Sequence, residues 1–225
     1  MLKSFVTKTL ATAAFTLGVS TVNAAPADGA VYPVDGPVKE LSNLLSGHAS
    51  AKADFTQFAL SSDGDRAEDS SGYFVVARPN RFRWVTEAPF MQEIVSDGDY
   101  IWIHDPDLEQ VTRKPATGQN NSAPAMILNG QIEQLSERFS IERIDGNESG
   151  VALYELKPLD AENATFARIR LLFEQQRITE LSMEDSLGQR SMLVLHDLEY
   201  DPELPEGVFE FIPPEGSDVI LDPGQ

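Results

Sequence analysis

The 225-residue chain carries three histidines and no cysteine, so any chemistry it performs must rest on carboxylates, hydroxyls and a few imidazoles. His48, His104 and His196 fall in no metal-ligand spacing such as His-x-x-x-His, and no thiolate can complete a site. His104 alternates with Trp102 and Tyr100 and reads as a packed or surface histidine. Asp63-Gly64-Asp65 and Asp105-Pro106-Asp107 look like pieces of calcium loops. Neither has the remaining ligands in register, so turn chemistry is the better account. The nucleophile elbow Gly-x-Ser-x-Gly and the Gly-rich phosphate loop are both absent from the sequence. With 36 acidic residues, carboxylate pairs arise by chance. The expectation is a protein with no catalytic residues, no metal and no cofactor.

Arg78 is the unusual residue. Period two places it on the strand face of Phe74 and Val76, just before Pro79 ends the strand. If that face is concave, a guanidinium points into an apolar interior and needs acceptors. C-terminal carbonyls of a covering helix would serve, making a latch that opens when a ligand enters. The competing reading has Arg78 snorkelling to water at the sheet rim. In Arg81-Phe82-Arg83-Trp84 the aromatics share one face and the arginines the other. The aromatics read as cavity wall or as ordinary core. The arginines read as a docking patch or as compensation for nearby acids.

These residues must be held by a sheet. Val38, Leu41, Leu44 and Leu45 repeat at helical spacing after Pro37, which suits a first helical turn. The period then changes to two. Strands are expected at 53–60, 72–78, 81–86, 92–96, 99–104 and 108–113, divided by turn pairs such as Asp63-Gly64 and Asp97-Gly98. Residues 124–128 and the stripe Ile132, Leu135, Phe139 predict two short helices. Strands resume at 140, 152–157, 166–173, 177–184 and 191–200, with Asp145-Gly146 as a further turn pair. Val208 to Phe211 reads as a last short strand before a Pro-rich tail. About ten strands in one antiparallel meander, with three small helices, predict a mainly β fold. A long sheet curls as its strands twist. The expected shape is therefore a curved antiparallel sheet forming an unclosed half-barrel under a helical lid. A closed barrel with outside helices is the competitor.

The first 24 residues read as a secretory signal peptide. Lys3 and Lys8 precede an apolar run from Leu10 to Val22, and Val22-Asn23-Ala24 supplies small residues for cleavage. Removing 24 of 225 residues leaves 201, enough for a single domain over 25–225. Losing Lys3 and Lys8 takes the basic count from 17 to 15 against 36 acids, a net charge of −21. That surface repels phosphate backbones and anionic membranes, so nucleic acid is not an expected partner. Without cysteine, the chain cannot itself carry an N-terminal lipid.

Several stretches together resemble the LolA family of periplasmic outer-membrane lipoprotein carriers. They are Arg78-Pro79-Asn80-Arg81-Phe82-Arg83-Trp84, Ile94-Val95-Ser96-Asp97-Gly98, Trp102, Asp105-Pro106, Glu109-Gln110-Val111-Thr112, Phe55-Thr56-Gln57 and Phe209-Glu210-Phe211-Ile212-Pro213-Pro214. The resemblance implies an unclosed barrel with a lid of three helices. It implies a periplasmic monomer that receives lipoproteins from an inner-membrane ABC transporter and delivers them to an outer-membrane receptor, without covalent chemistry. It implies that Arg78 is the lid latch, that Phe82 is its neighbouring aromatic and that the lid segment is Ser122 to Gln131. Taken with strand alternation, Phe55, Phe74, Phe82, Trp84 and Trp102 are expected to form the acyl-chain cavity. Pro124, Met126, Ile127, Leu128 and Leu135 would belong to the lid. Ala125 stands where that family carries a bulky Phe, and Arg81 replaces an apolar residue. A periplasmic lipid-binding sensor on the same fold is the alternative, and a lipid hydrolase is a more distant one.

Overall fold

The computed structural model describes residues 36–60, 66–116, 123–144 and 149–223, with the side chains of 66–68 and 123–125 outside the described set. The signal-like segment, the Asp63-Gly64 and Asp145-Gly146 turns and most of the loop before residue 123 lie outside it.

Helix α1 (Pro37–Ser46) starts on a proline whose missing N–H would have had no intrahelical partner. Its Leu41 and Leu45 are buried, as the helical spacing requires. Strands follow: β1 (Ser50–Leu60), β2 (Arg66–Ala77), β3 (Arg81–Ala88), β4 (Gln92–Ser96), β5 (Tyr100–Asp105) and β6 (Gln110–Pro115). Helices α2 (Ala123–Leu128) and α3 (Ile132–Ser136) come next. The chain ends with β7 (Phe139–Ile144), β8 (Val151–Pro158), β9 (Phe166–Glu174), β10 (Arg177–Asp185), β11 (Arg190–Tyr200) and β12 (Asp218–Leu221).

All twelve strands form one unclosed curved sheet in the order β12-β6-β5-β4-β3-β2-β1-β11-β10-β9-β8-β7. This corrects the single meander. Two meanders, β1–β6 and β7–β11, join through the antiparallel pair β1–β11, in which Phe55 faces Leu195. The consequence is topological. Strands β6 and β7 lie toward opposite edges, so their connection must cross the sheet, and it carries α2 and α3 over the face that α1 also covers.

Gly72 marks a close approach on β2. A Cβ there would collide with the Val85 carbonyl oxygen of β3, at a register shift between Ser71 and Gly72.

Two expectations fail at the C-terminus. Val208 to Phe211 is not a strand: Gly207 takes φ +74° and the Glu210 amide donates to its carbonyl at 2.8 Å. This turn packs Phe209 against Val75 and Ala77 on the outer face. Arg83 holds it there, donating to the carbonyls of Val208 at 2.6 Å and Glu210 at 2.8 Å. The Arg81 guanidinium lies 5.2 Å from the Phe209 ring centroid. The tail beyond then forms β12, paired in parallel with β6. Phe139 begins β7 instead of extending α3, although it is buried with Ile132 and Leu135 as its stripe predicts.

Candidate functional site

The inner face divides into a filled part and a hollow one. Over β7–β9, side chains of α1 and α3 close the space: Leu41, Ile132, Leu135, Leu156, Ile169 and Leu171 are each 0% exposed. Polar ties fix this packing. Ser42 of α1 donates to Glu133 of α3 at 2.6 Å, Arg143 pairs with Glu40 at 3.0 Å, and the Tyr154 hydroxyl donates to Glu40 at 3.2 Å.

Over β2–β6 the same face is left open as a cavity of about 350 Å³. Phe74, Val76, Phe82, Trp84, Ile94, Ile101 and Ile103 form its wall, Leu181, Met183 and Leu193 its far side, and Met126 and Leu128 of α2 its roof. Trp84 is braced from both sides, with the Phe55 ring centroid at 4.4 Å and the Phe74 centroid at 5.5 Å.

Arg78 stands where sheet, α1 and the α2–α3 turn meet. Its guanidinium donates to the Leu45 carbonyl in the last turn of α1. A Cβ on Gly130 would lie 2.5 Å from Arg78 Nη2, and Gly130 adopts φ +68°, so only glycine lets the turn settle on the guanidinium. The neighbouring Gln131 donates to the Pro79 carbonyl at 3.1 Å. Burial lowers the Arg78 pKa, and Asp201 and Glu133 oppose that shift. The group stays cationic at neutral pH, and a cation at a helix C-terminus is the favourable arrangement.

The residues expected in a cavity therefore fall in three places. Phe74, Phe82 and Trp84 line it. Phe55, 2% exposed, lies behind Trp84 as its support. Trp102 is a correction: it faces outward, with its ring 5.6 Å from Phe211 and its indole N–H donating to Asp97 at 3.3 Å. Alternation on β5 gives the inner positions to Ile101 and Ile103 instead. Of the roof residues, Met126 and Leu128 touch the cavity, while Ile127 and Leu135 are anchored in the core. Pro124 falls in the first turn of α2, and its side chain is among those not described.

The histidines are held in local contacts. His48 stacks on Tyr200 at 4.0 Å and bonds Asp201, His196 bonds Thr56 at 3.1 Å, and His104 lies 5.6 Å from the Phe211 ring. Among the described residues no group of three His, Asp or Glu could hold a metal ion.

An apolar chamber on an unclosed sheet, roofed by short helices pinned at one arginine, belongs to the class of carriers for greasy ligands. Comparison with known proteins narrows the class. The family model described as "Outer membrane lipoprotein carrier protein LolA" matches residues 46–212. An outer-membrane lipoprotein carrier protein of Chromohalobacter salexigens is 36% identical over 189 residues, covering 84% of this chain and 89% of the relative. One of Pseudomonas aeruginosa is 34% identical over 215 residues, covering 96% and 98%. A solved structure of an uncharacterised conserved protein from Thermus thermophilus shares the fold at 11% identity, with a TM-score of 0.56, covering 83% of this chain and all of that one. The chain belongs to the LolA family.

Proposed function

We propose that this chain is a periplasmic lipoprotein carrier, a chaperone that holds the acyl chains of its cargo in the cavity beneath α2. After loss of residues 1–24 it works as a monomer, loading from an inner-membrane ABC transporter and unloading to an outer-membrane receptor. Family membership and the names of its relatives support the carrier role. The charged, then apolar, N-terminus supports export.

The observation that carries the mechanism is the roofed cavity with Arg78 at its hinge point. Each methylene moved from water to an apolar wall gains about 0.8 kcal/mol, so acyl chains are held strongly without covalent chemistry. The roofed cavity, about 350 Å³, matches roughly a dozen methylene-sized groups at the ~30 Å³ a water fills in the liquid. That is far short of three long chains, so the roof must lift to load lipoprotein. Lifting α2 parts Gly130 from the Arg78 guanidinium and breaks the neutral Gln131–Pro79 hydrogen bond, worth about 0.5–1.5 kcal/mol, while the Arg78 bond to α1 stays in place. The roof thus covers part of the apolar wall in the empty carrier, and cargo displaces it.

Tryptophan fluorescence tests this reading, because Trp84 lines the cavity and Trp102 does not. Titration with a tripalmitoyl-cysteinyl peptide is expected to shift the Trp84 emission in a Trp102→Phe background. Phe82→Glu, which sets a charge in the wall, is expected to weaken binding at least about a hundredfold, since an unpaired buried charge costs several kcal/mol. Equal binding by the wild-type and Phe82→Glu proteins would contradict the proposal.

A further inference from the structure

We infer that the cavity with its roof in place is also a binding site for one medium-length acyl chain with an anionic head, read by Lys114. This goes beyond lipoprotein carriage, for which the roof must open.

Lys114 of β6 lines the cavity beside Ile101, its cross-strand partner. In a chain with 36 acidic residues it has no ion-pair or hydrogen-bond partner among the described residues. Loop 117–122, which follows it, contains no carboxylate. Other basic residues are used differently. Lys157 and Arg170 are paired to Glu155, and Arg168 and Arg190 to Glu184.

A second observation marks the same end of the cavity. Register runs Lys114–Ile101–Ser96–Phe82 across four strands, next to Asn80. The α2–α3 turn sits over this end, since Gly130 meets Arg78 and Gln131 bonds Pro79. On that turn Asn129 is 7% exposed, lines the cavity, and leaves its Oδ1 with no hydrogen-bond partner. This acceptor fits a bridging water that donates one hydrogen to Oδ1 and the other to an anionic head, and not a methyl terminus.

The chamber therefore has poles. Lys114 and Asn129 lie at one end, and the apolar run of Trp84, Ile94, Ile103 and Met183 leads away from them. The volume suits about a dozen chain carbons at the ~30 Å³ per group used above. Such a ligand enters with the Arg78 contacts intact. The net negative charge of the chain is screened beyond about 8 Å at physiological salt, so the local ammonium governs the head.

The test is calorimetric titration of the full mature chain with dodecanoate, dodecyl phosphate and dodecanol. Wild type is expected to bind an anionic ligand more tightly than dodecanol. Lys114→Met is expected to lose about ten- to hundredfold for that anion, as for a charge-assisted hydrogen bond, with dodecanol unchanged. Lys114→Arg should retain the preference. Tighter binding of dodecanoate supports a fatty-acid source, and tighter binding of dodecyl phosphate a lysophospholipid source. Equal binding of all three by wild type, equal losses in Lys114→Met, or no binding of either anion would overturn the inference. The tripalmitoyl peptide separates the two proposals: if it still binds when the anions do not, the carrier stands and the second ligand falls.

Discussion

The two halves of the inner face are built from the same kinds of residue and do opposite things. Over β7–β9, leucines and isoleucines of sheet and helices interlock until Leu135, Leu156, Ile169 and Leu171 are fully buried, and Glu40, Ser42, Arg143 and Tyr154 tie the layers together. Over β2–β6, a braced aromatic wall beneath a six-residue helix leaves about 350 Å³ empty. The difference shows where stability is held and where it is withheld. A fully packed core gains dispersion from every contact, whereas a lined void forgoes those contacts and keeps its roof marginal. On the proposed mechanism, the filled half is the rigid frame against which the other half opens.

The largest effect expected from this contrast is on stability. Leu135→Ala, in the filled half, should cost about 2–5 kcal/mol, the usual range for a buried Leu→Ala. Ile103→Ala, on a wall that already faces empty space, should cost clearly less. Urea unfolding of both variants checks this, and equal losses would break the comparison.

Next in size is the roof. Arg78→Leu removes the guanidinium that bonds the Leu45 carbonyl of α1 and underlies Gly130, so it should favour the open state by about tenfold or less, because the charged bond it loses is to α1 and not to the roof. The variant should hold acylated peptide more tightly and release it more slowly to an acceptor. Release at the wild-type rate would remove Arg78 from the mechanism. Gly130→Ala should act in the same direction, because its Cβ falls on the guanidinium.

The smallest effect concerns pH and belongs to the filled half. Burial, then the neighbouring Glu40 charge, pushes the Tyr154 phenol up to about 12 from the ordinary 10. The raised value means the fold favours the neutral phenol. Its contribution is complete below pH 10 and is lost as pH rises toward about 12. Tyr154→Phe should flatten that decline in a series of melting curves, while Tyr100→Phe, on the outer face, should leave it unchanged.

Much of this contrast is legible in the residues. Period two in Phe74-Val75-Val76-Ala77-Arg78 correctly puts Arg78 with Phe74 and Val76, and the apolar patterns locate α1 and α2 to within a residue or two, while the stripe of α3 runs three residues past its end at Ser136 into β7. The failures have one physical source. On β5, Tyr100-Ile101-Trp102-Ile103-His104 is apolar on both faces, because the outer face is covered too. The cover is the turn with Phe209 and Phe211, which reads as a strand by its own alternation. Long-range packing decided that segment, and Arg83 is the residue that fastens it. Pairing of β1 with β11 was hidden for the same reason, since strand order across some 140 residues leaves no local periodicity. Ile94, Ile103 and Met183 were passed over because an aliphatic wall looks like any core. Lys114 and Asn129 stand out only once their lack of partners is visible.

The central claim is that acyl chains exchange places with the roof. The cysteine-free chain accepts two spin labels without background, at Asn80 beside the sheet turn and Gln131 on the roof, whose side chain bonds Pro79. Pulsed electron resonance of this pair, before and after loading with tripalmitoyl-cysteinyl peptide, measures the exchange directly. The account predicts a short, narrow distance in the empty protein that lengthens on loading. A loaded protein that keeps the empty distance would contradict it.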